Sequence, residues 1–365
     1  MRILIDATPV LLPSVGIKTY LYYWIQHLWQ QARNEQILTF PRLDKLTALN
    51  HERSILTPAQ TLPKLALLHL VNRAPMLSRW ILGSTDVFHV SNQIRNPPKK
   101  TKLTATIYDL TCRLMPELHT AANIRADESL AKNIFQKADG LIAISENTRA
   151  DAIGLLDLDP DRVQVIYPGV PEVYFGAQPR PAERPYVLYV GTIEPRKNVE
   201  TLLDAWQGFR LRHDFDLVVV GSRGWGSEKT MARLASLPQG ERCPRPEGVR
   251  YLGYVPEDEL PGLTAGATAF IYPSLYEGFG FPVAQAMAAG VPVITSNTSC
   301  LPEVAGDGAL FVDPRSPAEI QAALEKLLTS QSLRDQLGTA GANRAGRYRW
   351  DACACQSLEF FRRLG

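Results

Sequence analysis

The chain has 365 residues, with 39 Lys and Arg against 37 Asp and Glu, a formal charge of +2 and 45% hydrophobic residues. That length exceeds one ordinary core and points to two domains, while the near-neutral charge gives no electrostatic footprint for a nucleic-acid partner. No run of about 18 apolar residues exists to cross a bilayer, and the cysteines at 112, 243, 300, 353 and 355 lack disulfide-framework or CxxC spacing, so they read as reduced thiols of a cytosolic protein.

Taken in chain order, MRILIDATPV is too short in its apolar part for a secretory signal and reads as a first, buried strand. Behind it, Gly16 opens a helix carrying Lys18 and Tyr20. A glycine there lets backbone N–H groups approach an anion with the helix dipole assisting, although a simple turn glycine gives the same pattern. DVFHV and LTATIY read as the next strands and lead to His89 and Asp109, both expected at one cleft edge. His89 is expected to orient acceptor or sugar, with a core histidine bonded to backbone as the alternative. Between these strands Arg95, Lys99, Lys100 and Lys102 cluster around two prolines. They read either as a solvated loop or as a basic patch meeting an anionic membrane, at about 1 kcal/mol per basic residue. GLIAI and VQVIY complete the first half. Asp157-Leu158-Asp159 has the spacing of a metal-binding pair, but Asp159-Pro160 reads as a helix N-cap and first turn, which leaves no metal site.

The segment PGVPEVYFGAQPRPAERP at 168 to 185 holds five prolines and interrupts every period. It divides the chain into a domain over 1–170, a linker over 171–185, a second domain over 186–345 and a C-terminal helix over 346–365. That helix carries an aromatic stripe, with the hinge as a natural place to bury it. The runs YVLYVG, DLVVVG, VRYLG, TAFIYP, PVIT and GALFV build the second domain. Like those of the first half, they are apolar on both faces, as parallel strands covered by helices on both sides must be.

Ligands of such folds sit at the carboxyl ends of strands, and three turns of the second half stand out. YVLYVG runs into TIEPRKNVETLLDAW, placing Arg196 and Lys197 at a helix opening, where the macrodipole disfavours cations unless an anion binds. TAFIYP runs into SLYEGFGFP, where Glu277 can accept hydrogen bonds from sugar hydroxyls and Gly278 and Gly280 leave N–H groups open. PVIT runs into NTSCLPEVAGDGALFVDP, a Ser-rich turn entering a helix. No GxGxxG follows the first strand, and no P-loop, HExxH or GxSxG motif occurs.

EGFGFPVAQAMAAGVPVITSNTSCLPEVAGDGALFVDP closely resembles the signature of the group-1, family-4 glycosyltransferases. YVGTIEPRKN, VVVGSRGW, LIAISENTRADAI and VQVIYPGV resemble their other landmarks, so the likeness runs from residue 1 to about 350. The resemblance implies an α/β chain of GT-B architecture, two Rossmann-like doubly wound parallel-sheet domains facing across a cleft. It further implies a retaining transfer without metal or cofactor, in which a nucleotide-diphosphate sugar is held mainly by the second domain. By position, Glu277 matches the first carboxylate of the EX7E pattern, Lys197 the lysine that pairs with the diphosphate, and Gly16 the glycine near the β-phosphate. Arg196 is the candidate second cation. Gly191, Thr192, Phe279, Gly280, Phe281, Gln285 and Ser299 are the other donor-binding positions. Three residues depart from the pattern: Gln285 stands where the second carboxylate is usual, Thr192 where an arginine is common, and Tyr108 where many members have His. TIEPRKN with EGFGFP looks most like members that transfer mannose in bacterial glycan assembly. The expected donor is therefore GDP-mannose, with a UDP-sugar second, and the expected acceptor is a glycan or glycolipid. The three departures leave a non-catalytic nucleotide-sugar or glycan-binding relative as the alternative.

Overall fold

The computed structural model describes residues 1–74, 81–98, 100–236 and 248–365, so Lys99 and Cys243 lie outside the described residues. The chain forms two compact units. The first comprises Met1–Pro116, Thr120–Gly169 and Arg349–Gly365, and the second Val170–Tyr348 with Glu117–His119.

In the first unit, β1 (Arg2–Asp6), β2 (Gln36–Phe40), β3 (Val87–Val90), β4 (Lys102–Ile107), β5 (Gly140–Ala143) and β6 (Val163–Val165) form one sheet in the order β2-β1-β3-β4-β5-β6, with every pairing parallel. The inner strands β3 and β5 are buried throughout. That is the physical reason their sequences carry apolar residues on both faces, His89 in β3 being the exception. β2 is absent from the expected strands: QILTF lies at the sheet edge with its first three residues partly or fully exposed, so no two-sided run marks it. Between β1 and β3 the strand order reverses, which places the ends of these two strands at the switch point of this sheet.

The C-terminal helix Trp350–Leu364 belongs to this first unit and packs along Gly16–Gln31. Trp24 Nε1 donates to Ser357 Oγ at 2.9 Å, the Trp24 and Phe361 rings lie 6.1 Å apart, and Arg362 pairs with Glu35 at 2.7 Å. Gly169 sits against the backbone and ring of Trp350 so closely that no side chain fits there.

The second unit holds β7 (Tyr186–Val190), β8 (Asp216–Val220), β9 (Val249–Gly253), β10 (Ala269–Tyr272), β11 (Val293–Ser296) and β12 (Ala309–Val312) in the order β12-β11-β10-β7-β8-β9. This is the strand order of the dinucleotide-binding folds, and its switch point falls between β7 and β10. The proline-rich segment read as a linker is docked on this unit. Tyr174 is 2% exposed and the Arg180 N–H donates to the Gly262 carbonyl at 2.9 Å. Besides the short excursion of Glu117–His119, the chain passes between units at Gly169–Val170 and returns at Tyr348–Arg349.

Candidate active site

The second unit's switch point gathers the charged residues singled out in the sequence. After β7 the chain runs through Gly191, Thr192, Ile193 and Glu194 into the short turn Pro195–Lys197, and Asn198, with φ of 60°, re-aims it into the helix Val199–Gly208. The Asn198 amide donates to the carbonyls of Pro273 at 3.0 Å and Pro314 at 2.6 Å, tying this turn to the segments behind β10 and β12. After β10 the chain reaches Glu277 and Gly280. Gly280 takes φ of 86° as N-cap of the helix Phe281–Ala288, with Pro282 in its first turn. Any Cβ at Gly280 would lie 2.7 Å from a Leu301 methyl, so both conformation and space demand glycine.

Glu277 is the hub. Its Oε1 accepts from Lys197 Nζ at 2.6 Å, Ser274 Oγ at 2.6 Å and Tyr272 OH at 3.0 Å, while Oε2 pairs with Arg196 Nη1 at 3.2 Å. Its N–H donates to Ser299 Oγ at 3.1 Å, and Ser299 holds a φ of 55° in the turn behind β11. Arg196 Nη1 also donates to the Tyr276 carbonyl at 2.6 Å, and Nη2 to Glu194 Oε1 at 2.8 Å. Lys197 Nζ donates to Tyr272 OH at 2.8 Å. Burial alone would raise the Glu277 pKa, but Lys197 and Arg196 outweigh it and hold the carboxyl down at about 2. The cluster is therefore a buried network at the ends of β7 and β10, in which the ionised Glu277 carboxylate and Glu194 are paired with Arg196 and Lys197. It can receive an anion through Arg196 and Lys197 and hydroxyl groups through Glu277.

Glu194, Tyr272 and Ser274 were not among the expected site residues. Glu194 sits beside Pro195 and resembles an ordinary turn acid. Tyr272 and Ser274 flank the end of an apolar strand, so only the folding of Glu277 back onto β10 reveals them. Tyr189 stacks on Tyr272 with centroids 5.7 Å apart, and its buried hydroxyl has no hydrogen-bond partner among the described residues. At Gly191 a Cβ would lie 2.9 Å from that hydroxyl, so the two tyrosines occupy the space a side chain would need.

Three other residues singled out in the second half lie in the turns and helix that follow β7 and β10. Thr192 is half-buried in the same turn, and Gln285 is half-buried on the helix Phe281–Ala288. Phe279 is 2% exposed, edge-on to Phe281 at 5.2 Å and to Tyr348 at 5.1 Å. The Phe279 ring is thus a packing element, which leaves only its main chain to face a ligand.

In the first unit, Gly16 is the exposed first residue of its helix, and a Cβ there would meet nothing within 4 Å. The protein's own packing does not demand glycine at that point. Lys18 turns inward to the carbonyls of Leu12 at 2.9 Å and Arg53 at 2.7 Å, and burial lowers its pKa to about 8. Asp109 is half-buried and its Oδ1 accepts from the N–H and hydroxyl of Thr111 at 3.1 and 2.7 Å, which caps its own turn.

His89 does not stand at a cleft edge. It is wholly buried in β3, with its ring nitrogens 3.0 Å from Thr104 Oγ1 and 2.9 Å from Thr106 Oγ1 and its ring packed 4.9 Å from Trp24. Burial lowers its pKa to about 3, so it is a neutral core residue, bonded to side chains of β4 rather than to backbone. The first unit's switch point is instead organised by Asp6. Its Oδ1 accepts from the Thr8 N–H and hydroxyl at 3.1 and 2.6 Å, and its Oδ2 from the N–H groups of Gln93 and Ile94 at 3.2 and 3.4 Å. Of the basic residues expected to cluster around two prolines, Arg95 Nη1 bonds the Asn92 carbonyl at 2.5 Å, and Lys102 pairs with Asp139 at 3.0 Å. Asp159 caps the turn Pro160–Arg162 by accepting from the Asp161 N–H at 3.0 Å, the structural role its sequence indicated. Among the described residues, no helix is long and apolar enough to cross a membrane.

Residues 172–344 match the family model described as glycosyl transferases group 1. The whole chain is 30% identical to O-antigen chain mannosyltransferase B of Escherichia coli over 393 residues, covering 100% of both sequences. It is 27% identical over 330 residues to the serotype-specific mannosyltransferase WbdA of Escherichia coli, covering 86% of this chain and 39% of that one. In fold it is similar to sucrose-phosphate synthase from Thermosynechococcus elongatus, with a TM-score of 0.73 at 21% identity and coverage of 100% and 98%.

Proposed function

The chain belongs to the group 1 glycosyl transferases and has the GT-B fold, and from that premise we propose that it transfers mannose from GDP-mannose to a glycan or glycolipid acceptor with retention at the anomeric carbon. The observation that carries the reading is the pairing of Arg196 and Lys197 with Glu277 at the switch point of the second unit. The names of the two relatives, both mannosyltransferases, favour mannose over other hexoses.

In this reading the bond from the sugar C1 to the diphosphate oxygen breaks as the sugar becomes oxocarbenium-like, and the leaving diphosphate gains negative charge. Lys197 Nζ and the Arg196 guanidinium take up that charge. Glu277, released from part of its contact with Lys197, accepts hydrogen bonds from the sugar hydroxyls, with Ser274 and Tyr272 holding its other side. The acceptor hydroxyl adds to C1 on the face the diphosphate leaves, and its proton passes to the departing phosphate oxygen, so no protein base is required. The open backbone of Gly280 and the half-buried Gln285 are the donor-facing groups of the following helix.

The test is incubation with GDP-mannose and with UDP-sugars in the presence of crude glycolipid acceptor, scoring free nucleotide and the anomeric configuration of the product by NMR. Release of GDP with an α-linked mannosyl product supports the reading. Release of UDP alone would reassign the donor, and an inverted product would overturn the retaining route.

A further inference from the structure

The charge of this site is balanced before any ligand arrives. Arg196 and Lys197, with side chains 11% and 12% exposed, are matched by Glu194 and Glu277, at 3% and 9%. In the reading above Glu277 turns to the sugar hydroxyls, and Glu194 is the second carboxylate of the cluster. Its carboxylate is instead fixed on the Arg196 guanidinium, 2.8 Å from Nη2. Its backbone is fixed as well. The Glu194 carbonyl accepts from the Lys197 N–H at 3.0 Å, Ile193 is bridged to Arg223, and Gly224 lies so near that a Cβ there would be 3.2 Å from that of Glu194. A carboxylate held this firmly stays beside Arg196 when an anion binds. Its field also reaches the end of β7, where burial first and then Glu194 and Glu277 push the Tyr189 phenol upward.

We propose that Glu194 is a positioning residue that also tempers the anion site, offsetting one of the two cations so that the nucleoside diphosphate left after transfer binds weakly enough to depart. Without Glu194, Glu277 alone would offset the two cations, and the excess positive charge would hold donor and product alike. Such uniform tightening lowers KM without accelerating the chemical step. Removing one charge at this range, at an effective dielectric near 20, corresponds to roughly a tenfold or larger change in affinity. The inference rests on the diphosphate lying at Arg196 and Lys197.

The experiment compares binding of GDP and of UDP to the wild type, Glu194→Gln and Lys197→Ala by calorimetry, with steady-state kinetics alongside. Gln keeps the shape and the acceptor for Arg196 Nη2 but removes the charge. Glu194→Gln is expected to lower the Kd of the preferred nucleotide by about tenfold or more, to lower KM with it, and to reduce kcat through slow product release. A residue that merely supports the fold would shift binding the other way. Unchanged or weaker binding in a variant that melts like the wild type overturns the proposal. Should Glu194→Gln not fold, Glu194→Asp withdraws the carboxylate by one methylene and is expected to tighten binding by a smaller factor. Unchanged or weaker binding there overturns it equally. If Lys197→Ala binds nucleotide as the wild type does, the phosphate assignment fails and takes this role with it. If Lys197→Ala weakens binding while Glu194→Gln does not tighten it, the role of Glu194 alone is lost.

Discussion

Lys197 Nζ lies 2.6 Å from Glu277 Oε1 although the two residues are 80 positions apart, and this contact joins the turns behind β7 and β10. One cation near a developing phosphate charge is worth about 4 kcal/mol at an effective dielectric of 20 as an upper guide. Lys197→Ala is therefore expected to lower kcat by roughly one to three orders of magnitude. Wild-type kcat in that variant would remove Lys197 from the reaction. The same substitution has a pH signature. Glu277 is held at about 2, below its ordinary 4.5, so the stability it contributes is complete above about 4.5 and is lost as pH falls toward 2. The stability deficit of Lys197→Ala is expected to be larger at pH 7 than at pH 3 in urea unfolding. An equal deficit at both would show that the pair is not coupled.

His89 makes the opposite use of burial. Its folded pKa of about 3 lies below the ordinary 6.5, so the unfolded chain binds the proton more readily across that interval and folding loses stability as pH falls from 6.5 toward 3. His89→Leu is expected to flatten that part of the profile. It should also cost about 1–3 kcal/mol at neutral pH, because Thr104 and Thr106 lose their shared partner. KM for the sugar nucleotide should not move. A raised KM with unchanged stability would return His89 to the site.

Gln285 offers a gain-of-function probe. Were the ribose at Gln285, a carboxylate at this point of the helix Phe281–Ala288 would form a charge-assisted hydrogen bond with its hydroxyls, about twice as strong as the one Gln can make. Gln285→Glu is expected to tighten GDP several-fold in calorimetry. Unchanged affinity would place the ribose elsewhere.

Tyr189 separates structural from ligand-directed hydroxyls. A buried O–H without a partner contributes nothing to the fold, so Tyr189→Phe should leave the melting temperature unchanged or raise it. A fall in nucleotide affinity without loss of stability would show that the hydroxyl is satisfied by the donor.

Strand by strand, the architecture was legible because parallel strands buried on both faces carry apolar residues on both, with polar residues only where they pair, as His89 does with Thr104 and Thr106. RILID and DLVVVG could be nothing else. QILTF escaped because an edge strand needs only one covered face, and Gln36 and Thr39 break its pattern. The aromatic spacing of Trp350, Leu358 and Phe361 announced a helix with a buried stripe, but an amphipathic pattern says that a face is covered and not by what. Its partner, the helix around Trp24, lies more than three hundred residues earlier. The site was legible where a turn follows a strand, at Lys197 and Glu277. It was not legible at Glu194 and Asp6, whose roles depend on neighbours brought by other strands. His89 was misjudged because the end of a strand was read as the end of its burial, whereas β4 continues alongside it and supplies two threonines.

Because the chain leaves the first unit at Gly169 and returns to it at Arg349, the second unit is an insertion within the first. During synthesis, therefore, the face of Gly16–Gln31 that packs on the last helix lacks that partner while all of Val170–Tyr348 is being made. At about 5–20 residues per second that interval is on the order of ten to forty seconds. Through it the nascent chain presents Trp24 and its neighbours to whatever the ribosome exit offers. A message truncated anywhere beyond β6 but short of the last helix would leave Trp24 without Ser357 and Phe361 as partners.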